Sequence, residues 1–148
     1  MTQTPTLTGQ DIGQAHYATR AVLERVLADL GLGFNQSVAL NVLAGNGSRM
    51  SENDLVARLV HGLKIAEPVV RDGLSVAVDQ GLIARTLEAD AGPEVAMTEA
   101  GTTLHRQVNA AIAQITKRLY GGLPAEELAV AHRLLVTVTE RANAELAG

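Results

Sequence analysis

At 148 residues, 47% of them hydrophobic, the chain is long enough for one domain with a sizeable core. Aromatic residues make up only 2% (Tyr17, Phe34 and Tyr120), so that core must be aliphatic, and the lack of cysteine excludes disulfides, thiolate metal sites and thiol redox sensing. The net charge of −4 gives no global attraction to nucleic acid.

No apolar run approaches the roughly 20 residues needed to span a bilayer. Met1 to Leu7 is polar and has no signal-peptide core, so a cytoplasmic protein with no membrane role is expected. The first helix is expected from Thr8 or Gly9. Ile12, Ala15, Thr19, Val22, Val26 and Leu30 recur there at helical spacing, and Gly31 and Gly33 stop it. His16, Arg20 and Glu24 share a neighbouring face. A second helix from Phe34 or Asn35 carries Val38, Leu40, Val42 and Leu43, and Gly45-Asn46-Gly47 ends it. A short pairing segment is expected near Arg49-Met50.

Ser51 caps a third helix with Leu55, Val56, Leu59 and Val60 inward. Pro68 suits the first turn of a fourth helix, where its missing N–H costs nothing, and Gly81 suits a left-handed stop. Gly73 inside that helix suggests a close helix crossing. Leu82 to Leu87 reads as a strand, Glu88 to Pro93 as a polar turn, and Val95-Ala96-Met97 as the returning strand. Thr98 caps a fifth helix that runs to about Tyr120. Its Leu104, Val108, Ile112, Ile115 and Leu119 form a narrow, near-heptad stripe. Gly121-Gly122 breaks it, and Pro124 opens a last helix reaching Leu146. Narrow apolar stripes on terminal helices suit pairing between chains.

Helix, turn, helix and hairpin is the order of a winged helix-turn-helix. Gln80-Gly81-Leu82-Ile83-Ala84-Arg85, a short wing, then Met97-Thr98-Glu99-Ala100-Gly101 resembles the MarR family of bacterial transcriptional regulators, which typically show "GLV-R", a wing, then "LT-x-x-G". The resemblance covers roughly Gly9 to Leu146. It implies a mainly α fold with a small β-hairpin wing, in a single domain spanning 1–148. A winged helix-turn-helix lobe (about 34–98) would be flanked by N- and C-terminal dimerisation helices (about 9–31 and 99–146). One feature departs from the family: Asp90-Ala91-Gly92 has Gly where the wing arginine usually stands.

In a helix-turn-helix, the start of the second helix faces base edges. That region offers Lys64, Glu67 and Arg71, with Arg85 and Arg49 nearby, as DNA-binding candidates. From Gly45 to Thr98, five cations (Arg49, Arg58, Lys64, Arg71, Arg85) face eight acids (Glu52, Asp54, Glu67, Asp72, Asp79, Glu88, Asp90, Glu94), a net −3 that is poor for a DNA-binding surface. Glu67 and Asp72 would repel phosphate unless one accepts from cytosine or fixes a neighbouring base-reading arginine. His16, Arg20 and His105 are candidates for a small-ligand cleft.

The four histidines are scattered, with no His-x-x-x-His pair, so no metal site or cofactor is expected. No Gly-x-Ser-x-Gly, phosphate loop or His-Glu-x-x-His is present, so no enzyme is expected. The expected function is a DNA-binding transcriptional regulator: a homodimer on a palindromic site in double-stranded DNA, responsive to a small aromatic or anionic effector. The alternative is a winged-helix protein-interaction module with weak or lost DNA binding, which the acidic lobe favours.

Overall fold

The computed structural model describes residues 3–88 and 90–148. Among these, six helices and three strands run in the order α1 (Gly9–Asp29), α2 (Phe34–Ala44), β1 (Arg49–Ser51), α3 (Glu52–Leu63), α4 (Glu67–Asp79), β2 (Ile83–Glu88), β3 (Gly92–Met97), α5 (Glu99–Tyr120) and α6 (Ala125–Ala147). The chain forms two compact units, Met1–Ile115 and Thr116–Gly148. Among the described residues, no single helix is long and apolar enough to cross a membrane.

Local chemistry sets most boundaries. Thr8 caps α1 in a reciprocal capping box with Asp11. The Thr8 backbone N–H, and then its hydroxyl, donate to the Asp11 carboxylate and hold it below its usual pKa. Ser51 ends β1 and caps α3, accepting from the Asp54 N–H. Gly31 and Gly81 follow α1 and α4 in the left-handed region, at φ 69° and 75°. Thr98 does two jobs: its hydroxyl accepts from the Gly101 N–H at 3.0 Å and donates to the Gly81 carbonyl at 2.6 Å. The start of α5 is thereby tied to the end of α4.

The sheet has the order β1-β3-β2, antiparallel throughout. The returning strand is longer than the sequence suggests. It opens at Gly92 within the segment expected as turn, and Leu87 pairs with Pro93. Proline is tolerated there because β1 ends opposite Glu94, so Pro93 lies beyond the second neighbour and its missing N–H breaks no three-strand ladder.

One aliphatic cluster holds the first unit together. Leu40 and Leu43 of α2, Leu55 and Leu59 of α3, Val70, Leu74 and Ala77 of α4, and Ile83 and Val95 of the hairpin are all buried. Leu27 of α1 and Val108 of α5 join it. Within the second unit, α6 has no buried residue.

The glycines Gly73 and Gly101 have opposite roles. A Cβ built on Gly73 meets nothing within 4 Å, so the close crossing expected there is absent. Gly73 instead borders a small gap among Asn35, Leu59, Ile65 and Leu74. A Cβ on Gly101 would collide with the Leu82 carbonyl oxygen and press on Met97 Cγ. Gly73→Ala is therefore expected to stabilise the fold by about 1 kcal/mol through helix propensity. Gly101→Ala should destabilise it by about 1–3 kcal/mol through overpacking. Urea denaturation of both variants checks the pair, and equal shifts of the same sign would contradict this packing.

Candidate nucleic-acid interface

The candidate interface starts from the turn between α3 and α4. Lys64 closes α3 in the left-handed conformation, φ 57°, and its ammonium donates to the His61 carbonyl at 2.5 Å. Ile65 and Ala66 lead into α4, where Pro68 sits in the first turn. Val70, Leu74 and Ala77 turn inward. Pro68, Val69, Asp72, Ser75 and Val76 are exposed, and Glu67 and Arg71 lie on a flank. The outward face of α4 is thus apolar and acidic apart from Arg71.

Each candidate arginine is engaged by a carboxylate. Arg71 Nη2 donates to Glu67 Oε1 at 3.1 Å, one helical turn back, and to Asn53 Oδ1 of α3 at 3.3 Å. Arg49 Nη1 donates across the sheet to Glu94 Oε2 at 3.4 Å. Arg85 donates to Glu52 Oε2 through both Nη2 at 2.7 Å and Nε at 3.1 Å. Arg58, by contrast, bonds the amide oxygen of Asn46 at 2.8 Å. Most of these pairs are well exposed, and exposed pairs are worth only about 0–1 kcal/mol. Glu52–Arg85 differs, because the Glu52 side chain is only 8% exposed. It locks β2 to the start of α3.

The wing carries its own explanation for the missing cation. Gly92 opens β3 at φ 76°, in the left-handed region. Arginine in that conformation would be strained by about 1–2 kcal/mol.

The three effector candidates lie in the same unit, and no hydrogen bond joins them among the described residues. The His16 ring tilts against Tyr17 with centroids 5.6 Å apart. The Arg20 guanidinium lies 4.0 Å above the Phe34 ring and pairs with Glu24 at 3.0 Å. His105 Nε2 is 3.4 Å from Asn41 Oδ1 of α2 and 3.5 Å from Asn109 Nδ2. Among the described residues, no three His, Asp or Glu side chains gather into a group that could hold a metal.

Sequence reasoning passed over Asn53 and Asn41, took Asn46 only as part of a helix stop, and took Glu52 only as one of the lobe's acids. Exposed amides carry no periodic signal. Glu52 sits directly after the Ser51 cap, where a first-turn acid is explained by the helix dipole alone.

No family model and no curated protein matches the chain by sequence. Solved structures do match by fold. A mutant of MarR from E. coli complexed with operator DNA is 21% identical, with a TM-score of 0.74 over 88% of this chain and 91% of that one. CouR from Rhodococcus jostii RHA1 bound to p-coumaroyl-CoA is 15% identical, with a TM-score of 0.74 over 86% and 88%. A MarR family transcriptional regulator from Silicibacter pomeroyi DSS is 16% identical, with a TM-score of 0.77 over 93% and 90%.

The buried carboxylate makes Arg85 a structural residue whatever else it does. Arg85→Ala leaves Glu52 without its partner and should cost about 1–3 kcal/mol of stability. Adding Glu52→Gln should recover part of that loss, because a neutral amide is cheaper to bury unpaired. Thermal unfolding of the two variants tests this, and an unchanged Tm for Arg85→Ala would remove the pair from the fold's support. The capped α3, its turn into α4 and the β2–β3 wing, with α1, α5 and α6 on either side in sequence, give the chain the winged-helix fold of the MarR-family transcriptional regulators.

Proposed function

We propose that this chain is a DNA-binding transcriptional regulator that works as a homodimer on a palindromic operator. The observation that carries the reading is the uncovered outer face of α4, held beside a hairpin wing in a fold that one neighbour uses on operator DNA. Each subunit would place α4 in a major groove, with half-sites about 10 bp apart or a multiple of that. Lys64, Glu67 and Arg71 would lie at the groove, with Arg49 and Arg85 towards the backbone. The protein's role is binding, not catalysis, and its place is the cytoplasm.

Selection of sites from random duplex DNA tests the reading directly, and an enriched inverted repeat is expected. Few cations are available, so the salt dependence should be shallow. Neutralising Z phosphates gives a log–log slope of about −0.9Z. Six to eight contacts per dimer would set it at about −5 to −7. No enrichment, with no binding at low salt, would favour the second reading: a winged-helix module for protein partners. The observation behind that alternative is the pairing of Arg49, Arg71 and Arg85 with carboxylates.

The dimer is proposed to form through the terminal helices. Ile112 in the first unit is 37% exposed, and Leu119, Leu134, Leu135 and Val138 in the second are 39–50% exposed, apolar groups that a second copy would cover. Ile115 of the same stripe is already buried in the protomer, at 7%, so Ile112 and Leu119 are the cleaner probes. Ile112→Glu with Leu119→Glu should convert a dimer to a folded monomer by light scattering at micromolar concentration. A wild-type monomer under those conditions would overturn the dimer.

Effector binding is proposed between α1 and the winged lobe, at His16, Arg20 and His105. CouR binds p-coumaroyl-CoA, an anionic ligand with an aromatic acyl group, which makes aromatic acids and their thioesters a reasonable first class. Such an anion would compete with Glu24 for Arg20.

A further inference from the structure

Among the described residues, Arg71 is the one arginine that joins the two helices of the candidate reading head. Its Nη2 reaches Asn53, the second residue of α3, and Glu67, the first of α4. Both contacts fall on the same nitrogen. Among the described residues Nε and Nη1 make no hydrogen bond, so three N–H groups remain for a ligand.

Two physical consequences follow. The carboxylate of Glu67 cancels the charge of Arg71 locally, so the pair attracts phosphate weakly. The two acceptors also fix the guanidinium before any ligand arrives, which removes rotamer freedom that binding would otherwise have to remove. A neutralised, fixed donor contributes little to non-directional attraction and much to directional recognition.

We propose that Asn53 and Glu67 are positioning residues that hold Arg71 to read a base edge, and so set sequence selectivity rather than overall DNA affinity. The base class follows from the chemistry: Arg71 offers only donors, and guanine presents two acceptors, O6 and N7, in the major groove. This rests on the DNA-binding reading above. It adds Asn53, from the other helix, as a determinant of the recognised site. It also gives Glu67 a task that its charge alone would argue against.

Random duplex DNA is the probe, with wild type, Arg71→Ala, Glu67→Ala, Asn53→Ala and Asn53→Asp selected in parallel. Wild type should enrich sites with guanine at one fixed position in each half-site. Arg71→Ala should flatten that position and weaken the selected duplex about 10- to 100-fold. Glu67→Ala removes one of the two acceptors and frees the arginine's charge. It should flatten the same position while strengthening binding to non-selected duplex and making the log–log salt slope steeper. Asn53→Ala should relax the position in part, and Asn53→Asp, which keeps an acceptor oxygen there, should restore it.

The side chains of Arg71, Glu67 and Asn53 are exposed, so thermal unfolding should place all four variants within a few degrees of wild type, and a Glu67→Ala or Asn53→Ala that fails this check is replaced by the serine variant at the same position. If wild type enriches a site and the Glu67→Ala and Asn53→Ala profiles match it, the positioning role is overturned while the regulator reading stands. A uniform loss of affinity in Glu67→Ala, with guanine preference intact, overturns it equally. If wild type enriches nothing and binds no duplex at low salt, the regulator reading itself falls and takes this inference with it.

Discussion

Burial of Val70, Leu74 and Ala77 decides which side of α4 faces outward. The three recur at helical spacing, and each is no more than 4% exposed. They share one cluster with Ala39, Leu40 and Leu43 of α2 and with Leu55 and Leu59 of α3. A fully buried valine or leucine contributes about 1.5–3 kcal/mol. Turning α4 about its axis would forfeit several such terms, which exceeds what any surface ion pair supplies. Glu67, Val69, Arg71 and Asp72 therefore point where aliphatic packing sends them. Every functional statement about the lobe depends on that placement.

Electrostatics then acts on a frame already fixed. Arg71–Glu67 and Arg49–Glu94 are both solvent-exposed pairs, but Arg71 is also held by Asn53, so Arg49 is the one whose carboxylate is readily exchanged for phosphate. Glu52–Arg85 is built differently. The carboxylate is nearly buried, accepts two N–H groups, and bridges β2 to the first residue of α3. Removing one partner leaves a desolvated charge, so this pair is tied to the wing's position more than to ligand exchange. Three arginines that look alike in the sequence thus divide into one fastener and two surface groups, by burial alone.

The element order and most caps were legible in the sequence because they rest on local rules. Thr8, Ser51 and Thr98 cap helices where small hydroxyl residues precede apolar periodicity, and Gly31 and Gly81 take positive φ after helices. β3 was read too short because Gly92 and Pro93 signal a turn, and only the end of β1 opposite Glu94 makes them acceptable in a strand. Gly73 was read as a crossing because a helical glycine usually has a neighbour, whereas open space surrounds it. Gly101 belonged to a recognisable motif, yet its reason, the Leu82 carbonyl against its Cα, is a long-range contact that spacing does not encode. The candidate site was legible as residue types. Its pairings, 33 residues apart for Glu52–Arg85 and 18 for Asn53–Arg71, were not.

The acid-rich lobe and the glycine at the wing tip bear on the same quantity. Backbone attraction supplies most non-specific affinity for DNA, and each counterion released adds to it. Here Gly92 takes a left-handed conformation that disfavours arginine, and carboxylates sit against Arg49, Arg71 and Arg85. A lobe of this kind has little affinity to spare for random sequence. A DNA-binding role would then draw on directional contacts and on two-fold repetition, both of which distinguish one site from others. Such a complex would also be easy to switch. A coupling of about 1–3 kcal/mol changes DNA affinity 5- to 150-fold. Occupancy follows that change when DNA binding is near its threshold, and stays saturated when phosphate attraction is strong. The modest cation supply of this lobe is therefore compatible with regulation, and it places the demand on the geometry of α4 rather than on net charge.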